Sequence, residues 1–132
     1  MGHTISSQRF TLGYMEKNKC MFDHYSHFIN CRDQIIPSDL DYRSWKLLEY
    51  LYQEEKNIKK IRVTDVMMQV HQASSSTLHT KLMLLRRKGY ISMAIDDFDV
   101  RVKYIFLTPK SLLIFRELNN CLIKINSKQS YF

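Results

Sequence analysis

The sequence predicts a mainly α-helical (α+β) domain built as a winged helix-turn-helix, on three observations. Only 3 Gly and 2 Pro interrupt 132 residues, a composition typical of helical chains. Apolar residues recur at helical spacing through most of the chain. Two β-branched and aromatic runs, 90–95 and 101–107, flank the acidic turn "DDFDV" and predict a hairpin. A helix-turn-helix followed by such a hairpin is a winged helix, here flanked by an N-terminal and a C-terminal helix.

The first part of the chain predicts an arm and two helices. Residues 1–14 lack clear periodicity and are expected to form a loose arm. A helical pattern runs over 16–36 and ends at Pro37, which cannot continue a helix. Ser38 or Asp39 can cap the second helix, which carries apolar residues toward a core and ends in "QEEKNIKK".

The next segment predicts the helix-turn-helix. The β-branched stretch 61–63 reads as a short strand, with Thr64 as the N-cap of the short helix "DVMMQV". A turn over "HQAS" leads into a helix over 75–88. Gly89 ends that helix, because glycine readily takes the positive φ found past a helix end. After the hairpin, Pro109 begins the last helix.

The helix over 75–88 has two dissimilar sides. At about 100° per residue, Leu78, Leu82 and Leu85 share one side, which predicts that they anchor the helix to the domain. The N-terminal tip and the other side carry hydroxyl, imidazole, thioether and basic groups. Such groups can contact base edges and phosphates in a major groove. These candidate DNA contacts are Ser75, Ser76, Thr77, His79, Thr80, Met83 and Arg87. A surface helix with ordinary N-capping serines is the alternative.

The charge, apolar content and cysteine content of the chain indicate which partners and compartment to expect. The balance of 20 Lys+Arg against 13 Asp+Glu gives +7, which is usual for chains that meet nucleic acid or anionic membranes. No apolar run approaches the roughly 18 residues that a membrane span needs. Three cysteines without disulfide-framework spacing predict reduced thiols in a cytoplasmic protein. Because no phosphate-binding glycine loop or nucleophile motif occurs, we expect neither an enzyme nor a cofactor.

The sequence around the hairpin resembles the MarR/SlyA family of bacterial winged-helix regulators. That family's pattern is a Lys-Gly pair, then Asp-x-Arg, then Leu-Thr; this chain has Lys88-Gly89, Asp99-Val100-Arg101 and Leu107-Thr108 at matching separations. The resemblance covers roughly residues 40–115. Two departures are Val100, where a second arginine is frequent, and Ser111, where glycine is usual. In addition, a single helix follows Thr108 where the family commonly has two.

The resemblance implies roles for the wing residues. Arg101 is expected to enter the minor groove or to hold its phosphates. Asp99 either orients Arg101, pairs with a basic residue of the helix over 75–88, or is a plain turn residue. Lys103 adds a second cation beside the hairpin tip, which favours phosphate contact.

The overall prediction is a homodimeric, MarR-like regulator that binds duplex DNA at a pseudo-palindromic site. Residues 1–37 form an arm and a dimerisation helix, 38–108 the winged helix-turn-helix, and 109–132 a C-terminal dimerisation helix and tail. The helix over 75–88 lies in the major groove and the wing 96–101 at the minor groove. A small-molecule effector is left open. A winged helix used for protein–protein contact is an alternative, which Val100 favours.

A stripe of potential ligands on the first helix supports a further alternative, a metal- or redox-responsive sensor. Cys20, His24, His27 and Cys31 follow the spacing i, i+4, i+7 and i+11. The stripe rises roughly 16 Å along the helix axis, so its four side chains cannot all reach one ion. A metal site therefore requires ligands from another element or subunit, and packing or a dimer interface is the preferred interpretation.

Overall fold

The computed structural model describes residues 21–58, 60–70 and 74–129, with side chains up to Ile125. The predicted arm, 1–14, and Cys20 lie outside these residues. The helices are α1 (21–35), α2 (Tyr42–Asn57), α3 (Val63–Gln69), α4 (Ser75–Arg87) and α5 (Pro109–Gln129). The strands are β1 (Ile61–Arg62), β2 (Ile91–Ile95) and β3 (Lys103–Leu107). This order of elements confirms the predicted winged helix.

The described residues divide into two compact units, 36–115 and 21–35 with 116–129. The first unit is the winged helix. Its antiparallel sheet has the order β1-β3-β2, and Ile105 at its centre pairs with Ile61 on one side and Met93 on the other. None of the described helices is both long and apolar enough to cross a membrane.

An apolar core joins the helices of the winged-helix unit to this sheet. Side chains from α2, α4 and all three strands are buried in it: Trp45, Leu48, Leu51, Leu78, Leu82, Leu85, Ile61, Ile91 and Ile105. The Phe115 ring stacks on Trp45, with centroids 5.4 Å apart, and on Tyr52 at 4.1 Å. Burial of large aromatic and aliphatic groups is the main force that holds the helices in place.

Two predicted helix starts are wrong. The N-cap of α2 is Asp41, not Ser38 or Asp39, because the chain first makes a turn in which Leu40 N–H donates to the Pro37 carbonyl. The N-cap of α3 is Arg62, so the predicted cap Thr64 lies inside the first turn. The chain passes directly from β1 into α3, which leaves no room for a separate capping residue.

The second unit carries a disulfide between Cys31 of α1 and Cys121 of α5. The prediction that the cysteines are reduced thiols is therefore wrong for this pair. The two residues are 90 positions apart in sequence, so spacing along one helix could not reveal the partner on another. Other side chains of the same two helices are large, apolar and exposed: Met21, Phe22, Tyr25, Leu122 and Ile123.

Candidate nucleic-acid interface

The helix α4 is attached to the winged-helix unit by its predicted leucine face. Leu78, Leu82 and Leu85 are all buried. At the N-terminus of α4, the Ser74 hydroxyl caps the helix by accepting from Thr77 N–H at 3.3 Å. Burial and capping together hold α4 in a fixed orientation, and Ser74, Ser75 and Ser76 at its N-terminus are exposed.

The face of α4 opposite the leucines is uncovered within the described chain. Its exposed members are Ser75, Ser76, His79, Thr80 and Arg87, and its half-buried members are Thr77 and Met83. The Thr80 hydroxyl donates to the Ser76 carbonyl at 2.8 Å, so its lone pairs remain available to an outside donor. This face presents small polar groups and one thioether, followed by a guanidinium.

Three contacts fix the C-terminal end of α4, and sequence reasoning missed all of them. Gly89 ends the helix with φ +83°, as predicted. On either side of Gly89, two side chains bond to Asp39. The Tyr90 hydroxyl donates to its carboxylate at 2.7 Å, and Lys88 Nζ donates to its carbonyl. Lys110 Nζ donates to the Lys88 carbonyl at 3.0 Å. Lys88 therefore serves the domain's own structure, and the uncovered cations at this end are Arg86 and Arg87.

The environment of Tyr90 shows how closely this end is held. Burial, and after it the hydrogen bond to Asp39, raise the pKa of Tyr90 to about 12. The same hydrogen bond is the largest cause of a lowered pKa for Asp39. The phenol and carboxylate thus stay in their bonded protonation states across the neutral range.

A salt bridge ties the middle of α4 to the start of α2. Lys81 Nζ lies 2.7 Å from Asp41 Oδ2. This hydrogen bond is the largest cause of an Asp41 pKa lowered to about 2. Nothing in the local pattern of either helix indicated the pair, since its members are 40 residues apart.

The wing connects β2 to β3 through a turn organised by Asp96. One oxygen of its carboxylate accepts from the backbone N–H groups of Phe98 and Asp99, each at 3.0 Å, and the other accepts from the Tyr104 hydroxyl at 2.9 Å. The bonds from the two backbone groups and from Tyr104 lower the pKa of Asp96, with the Phe98 bond as the largest cause. Backbone bonds join Asp96 N–H to the Val102 carbonyl and Val102 N–H to the Asp99 carbonyl. Five hydrogen bonds therefore brace the turn.

Asp99 and Arg101 form a two-pronged ion pair on the wing. Arg101 Nε lies 3.1 Å from Asp99 Oδ1, and Nη2 lies 3.2 Å from Oδ2. Asp99 also accepts from the Arg101 backbone N–H at 3.0 Å, so it both shapes the turn and orients the guanidinium. These contacts, led by the guanidinium, lower the pKa of Asp99. The Arg101 side chain remains 87% exposed and so retains donors for another partner.

The end of α4 and the stem of the wing lie side by side. Arg86 of α4 and Lys103 of β3 line one open cleft of about 290 Å³, together with Met93, Ala94 and Ile95 of β2. The structure therefore brings the basic end of α4 next to the predicted cation Lys103.

The structure describes three of the four potential metal ligands predicted on the first helix, His24, His27 and Cys31. Within the described residues, no group of three or more His, Cys, Asp or Glu side chains is arranged to hold a metal ion. Cys31 is bonded to Cys121, so its sulfur is not a free thiolate ligand. Cys20, the first member of the stripe, lies outside the described residues.

Comparison with known proteins places the fold. No protein-family model and no curated protein matches this sequence. S. aureus MepR bound to ethidium bromide is 22% identical, has a TM-score of 0.63, and is matched over 84% of this chain and 79% of that chain. For the S. aureus MepR–DNA complex the identity is 20%, the TM-score 0.56 and the coverage 93% and 82%. A MarR-like transcription regulator from Bacillus cereus is 16% identical with a TM-score of 0.52, over 89% and 81%. This chain has the winged-helix fold of MarR-type transcription regulators.

Proposed function

We propose that this protein is a MarR-like, DNA-binding transcription regulator that acts in the cytoplasm. The observation that carries the proposal is the contrast between the two sides of α4. Its leucines are buried, whereas the hydroxyl, imidazole and guanidinium groups opposite them are uncovered. A rigid helix with one polar, partly basic face and a free N-terminus suits the major groove. That a protein of the same fold has been solved as a complex with DNA supports this assignment.

The wing supplies the second contact in this proposal. Arg101 is held by Asp99 with its guanidinium exposed, in a form suited to the narrow minor groove or its phosphates. Lys103 and Arg86, which share a cleft at the base of the wing, are placed to contact neighbouring phosphates. The residues 96–101 would then lie at the minor groove while α4 occupies the adjacent major groove.

A homodimer completes the proposal. The helices α1 and α5 leave large apolar side chains exposed, among them Phe22, Tyr25 and Ile123. Several large exposed apolar groups on two helices favour a surface that a partner covers, and a second copy is the partner that gives two recognition helices. A two-fold dimer would prefer a pseudo-palindromic site with half-sites about one DNA turn apart. The ethidium complex of a protein with this fold supports leaving a small-molecule effector open.

The test is the salt dependence of binding to duplex DNA, measured by fluorescence anisotropy with the full chain. Binding through phosphates requires that affinity fall steeply as salt rises. Arg101→Ala should weaken binding across sequences and make the salt dependence shallower. Arg116→Ala, an equal change in charge at an exposed position of α5, is the control and should bind like the wild type. Weak, salt-insensitive binding by the wild type would contradict the proposal.

A redox-responsive regulator is a second candidate, which the bond between Cys31 and Cys121 favours. Its formation from two thiols releases two protons and two electrons, which a peroxide or a low-molecular-weight disulfide can accept. In this case reduction of the wild type should change DNA affinity roughly fivefold or more. Cys121→Ser should have one affinity under both conditions. Equal affinity of the oxidised and reduced wild type would contradict this candidate.

A further inference from the structure

The tip of the wing carries an aromatic side chain that is almost completely exposed. Phe98 is 99% exposed, more than any other large apolar residue in the described part of the chain, and Val100 beside it is 77% exposed. Single exposed apolar residues are common on protein surfaces. Phe98 differs from most of these because it lies at the tip of a hairpin, where nothing in the described part of the chain covers the ring.

Hydrogen bonds brace the backbone of the turn that carries this ring. Asp96 accepts the backbone N–H groups of Phe98 and Asp99, and its other oxygen is fixed by Tyr104. Two further backbone bonds, from Asp96 N–H to the Val102 carbonyl and from Val102 N–H to the Asp99 carbonyl, close the turn. Since the backbone is braced on both sides of Phe98, burial of the ring by a partner costs little backbone entropy, and the loss is mainly that of the rotamer freedom of the side chain.

The charges of the tip determine what it can offer to DNA. Residues 96–101 contain three aspartates and one arginine. Two of the aspartates are engaged, Asp96 by backbone N–H groups and Asp99 by the Arg101 guanidinium, whereas Asp97 is exposed. Attraction of free cations to phosphates is therefore weaker here than in a cationic wing, and the largest contact area that the tip can contribute is apolar.

We propose that Phe98 is a wedge that enters the minor groove and unstacks one base-pair step. This inference rests on the proposed function, because the wing must first be brought to the groove by α4 and Arg101. Minor-groove proteins use Phe, Leu, Ile or Met in this way, and the inserted side chain kinks the duplex. Because pyrimidine–purine steps unstack most easily, Phe98 makes TA and CA/TG steps the preferred sequence under the wing. The Phe98 ring thus makes binding depend on how easily the DNA step unstacks, while Arg101 contacts the phosphate backbone or the minor groove.

The test uses 2-aminopurine, whose fluorescence rises when it is unstacked, placed at the step under the wing in a duplex obtained by binding selection. Wild-type protein should raise the fluorescence and Phe98→Ala should not. Loss of one base–aromatic contact should weaken binding of Phe98→Ala roughly 5- to 150-fold. Phe98→Leu, which keeps an apolar wedge, should retain most of both effects. Val100→Ala removes apolar area from the same turn and should leave the fluorescence rise intact.

The possible outcomes separate this inference from the proposed function. If the wild type binds DNA with the predicted dependence on salt and Arg101, but Phe98→Ala binds as tightly and unstacks the step equally, only the wedge is overturned. If the wild type does not bind DNA, both fall together. Because Phe98 packs against nothing in the described chain, its variants should fold normally, which their melting temperatures will verify.

Discussion

Single residues on the wing have separable roles that formal charge does not reveal. Asp96 braces the backbone and Asp99 grips Arg101, whereas Asp97 is exposed. The three carboxylates lie within four positions of one another, and all are equally repelled by phosphate at a distance. Their hydrogen bonds nevertheless predict opposite effects of neutralising Asp97 and Asp99.

Asp99→Asn should weaken DNA binding, and Asp97→Asn should strengthen it slightly. The first change removes the two-pronged grip that aims the Arg101 guanidinium, while the second removes only repulsion. Anisotropy titrations of both variants against one duplex, at one salt concentration, would measure the difference. Tighter binding by both variants would show that repulsion dominates and that Asp99 does not orient Arg101.

Ser111 shows how a departure from the resembled family is accommodated. It stands where glycine is usual, and its buried hydroxyl donates to the Tyr90 carbonyl at 2.5 Å. Thr108 bonds to the same carbonyl and to that of Gly89. The serine therefore helps to fasten the start of α5 to the segment that follows α4.

Ser111→Ala should lower the free energy of unfolding by about 1 kcal/mol, the usual net value of one buried hydrogen bond. Urea unfolding of the variant and the wild type would measure it. Ser92→Ala, which removes an exposed hydroxyl from β2, should change the free energy by less than about 0.5 kcal/mol. Equal effects of the two substitutions would mean that the Ser111 bond contributes nothing.

Among the elements, α4 could be predicted well from sequence because its determinants are local. The leucine spacing placed its buried face, and Gly89 marked its end; the structure confirms both. Its other attachments could not be predicted. Asp41 reaches Lys81, and Asp39 reaches Lys88 and Tyr90, across 40 to 51 positions of sequence. Asp41 is the N-cap of α2, whereas the predicted cap Asp39 lies in the turn before it and contacts Lys88 and Tyr90, just beyond α4.

The salt bridge between Asp41 and Lys81 predicts how the stability of the fold depends on pH. The Asp41 pKa is lowered to about 2 in the folded chain, from an ordinary value of 3.8. Its stabilising contribution is therefore complete above pH 4 and is lost as pH falls toward 2. Both Lys81→Met and Asp41→Asn should flatten the fall in unfolding free energy over this interval, as measured by urea titrations at several pH values. An unchanged slope in both variants would show that the pair does not stabilise the fold, as is true of many exposed pairs.

At the scale of the whole molecule, element order and fold were predictable, whereas the bond between the terminal helices was not. Hydrophobic periodicity, Pro37, Gly89 and the hairpin pattern suffice for a winged helix because each acts locally. The bond between Cys31 and Cys121 depends on how α1 and α5 meet. The odd number of cysteines and their spacing favoured free thiols. Neither the number nor the spacing indicates which cysteines the fold brings together, so the bond could not be predicted from them.

Alkylation of the unfolded chain, purified without reductant, should label one cysteine of the three. Reduction before alkylation should raise the number to three. Intact mass spectrometry distinguishes these states, and Cys121→Ser supplies the control, with two labelled cysteines under both conditions if no other bond forms. Three labelled cysteines without reductant would show that the pair is reduced in the purified protein.

In the function proposed above, α4 and the wing of a two-fold dimer together read duplex DNA. Selection of binding sites from a pool of random duplexes by the full chain tests this most directly, because it reports binding and site symmetry at once. We predict enrichment of two inverted half-sites with centres about 10 base pairs apart, and loss of enrichment in Arg87→Ala. A pool that remains random, or a single unrepeated motif, would contradict the claim.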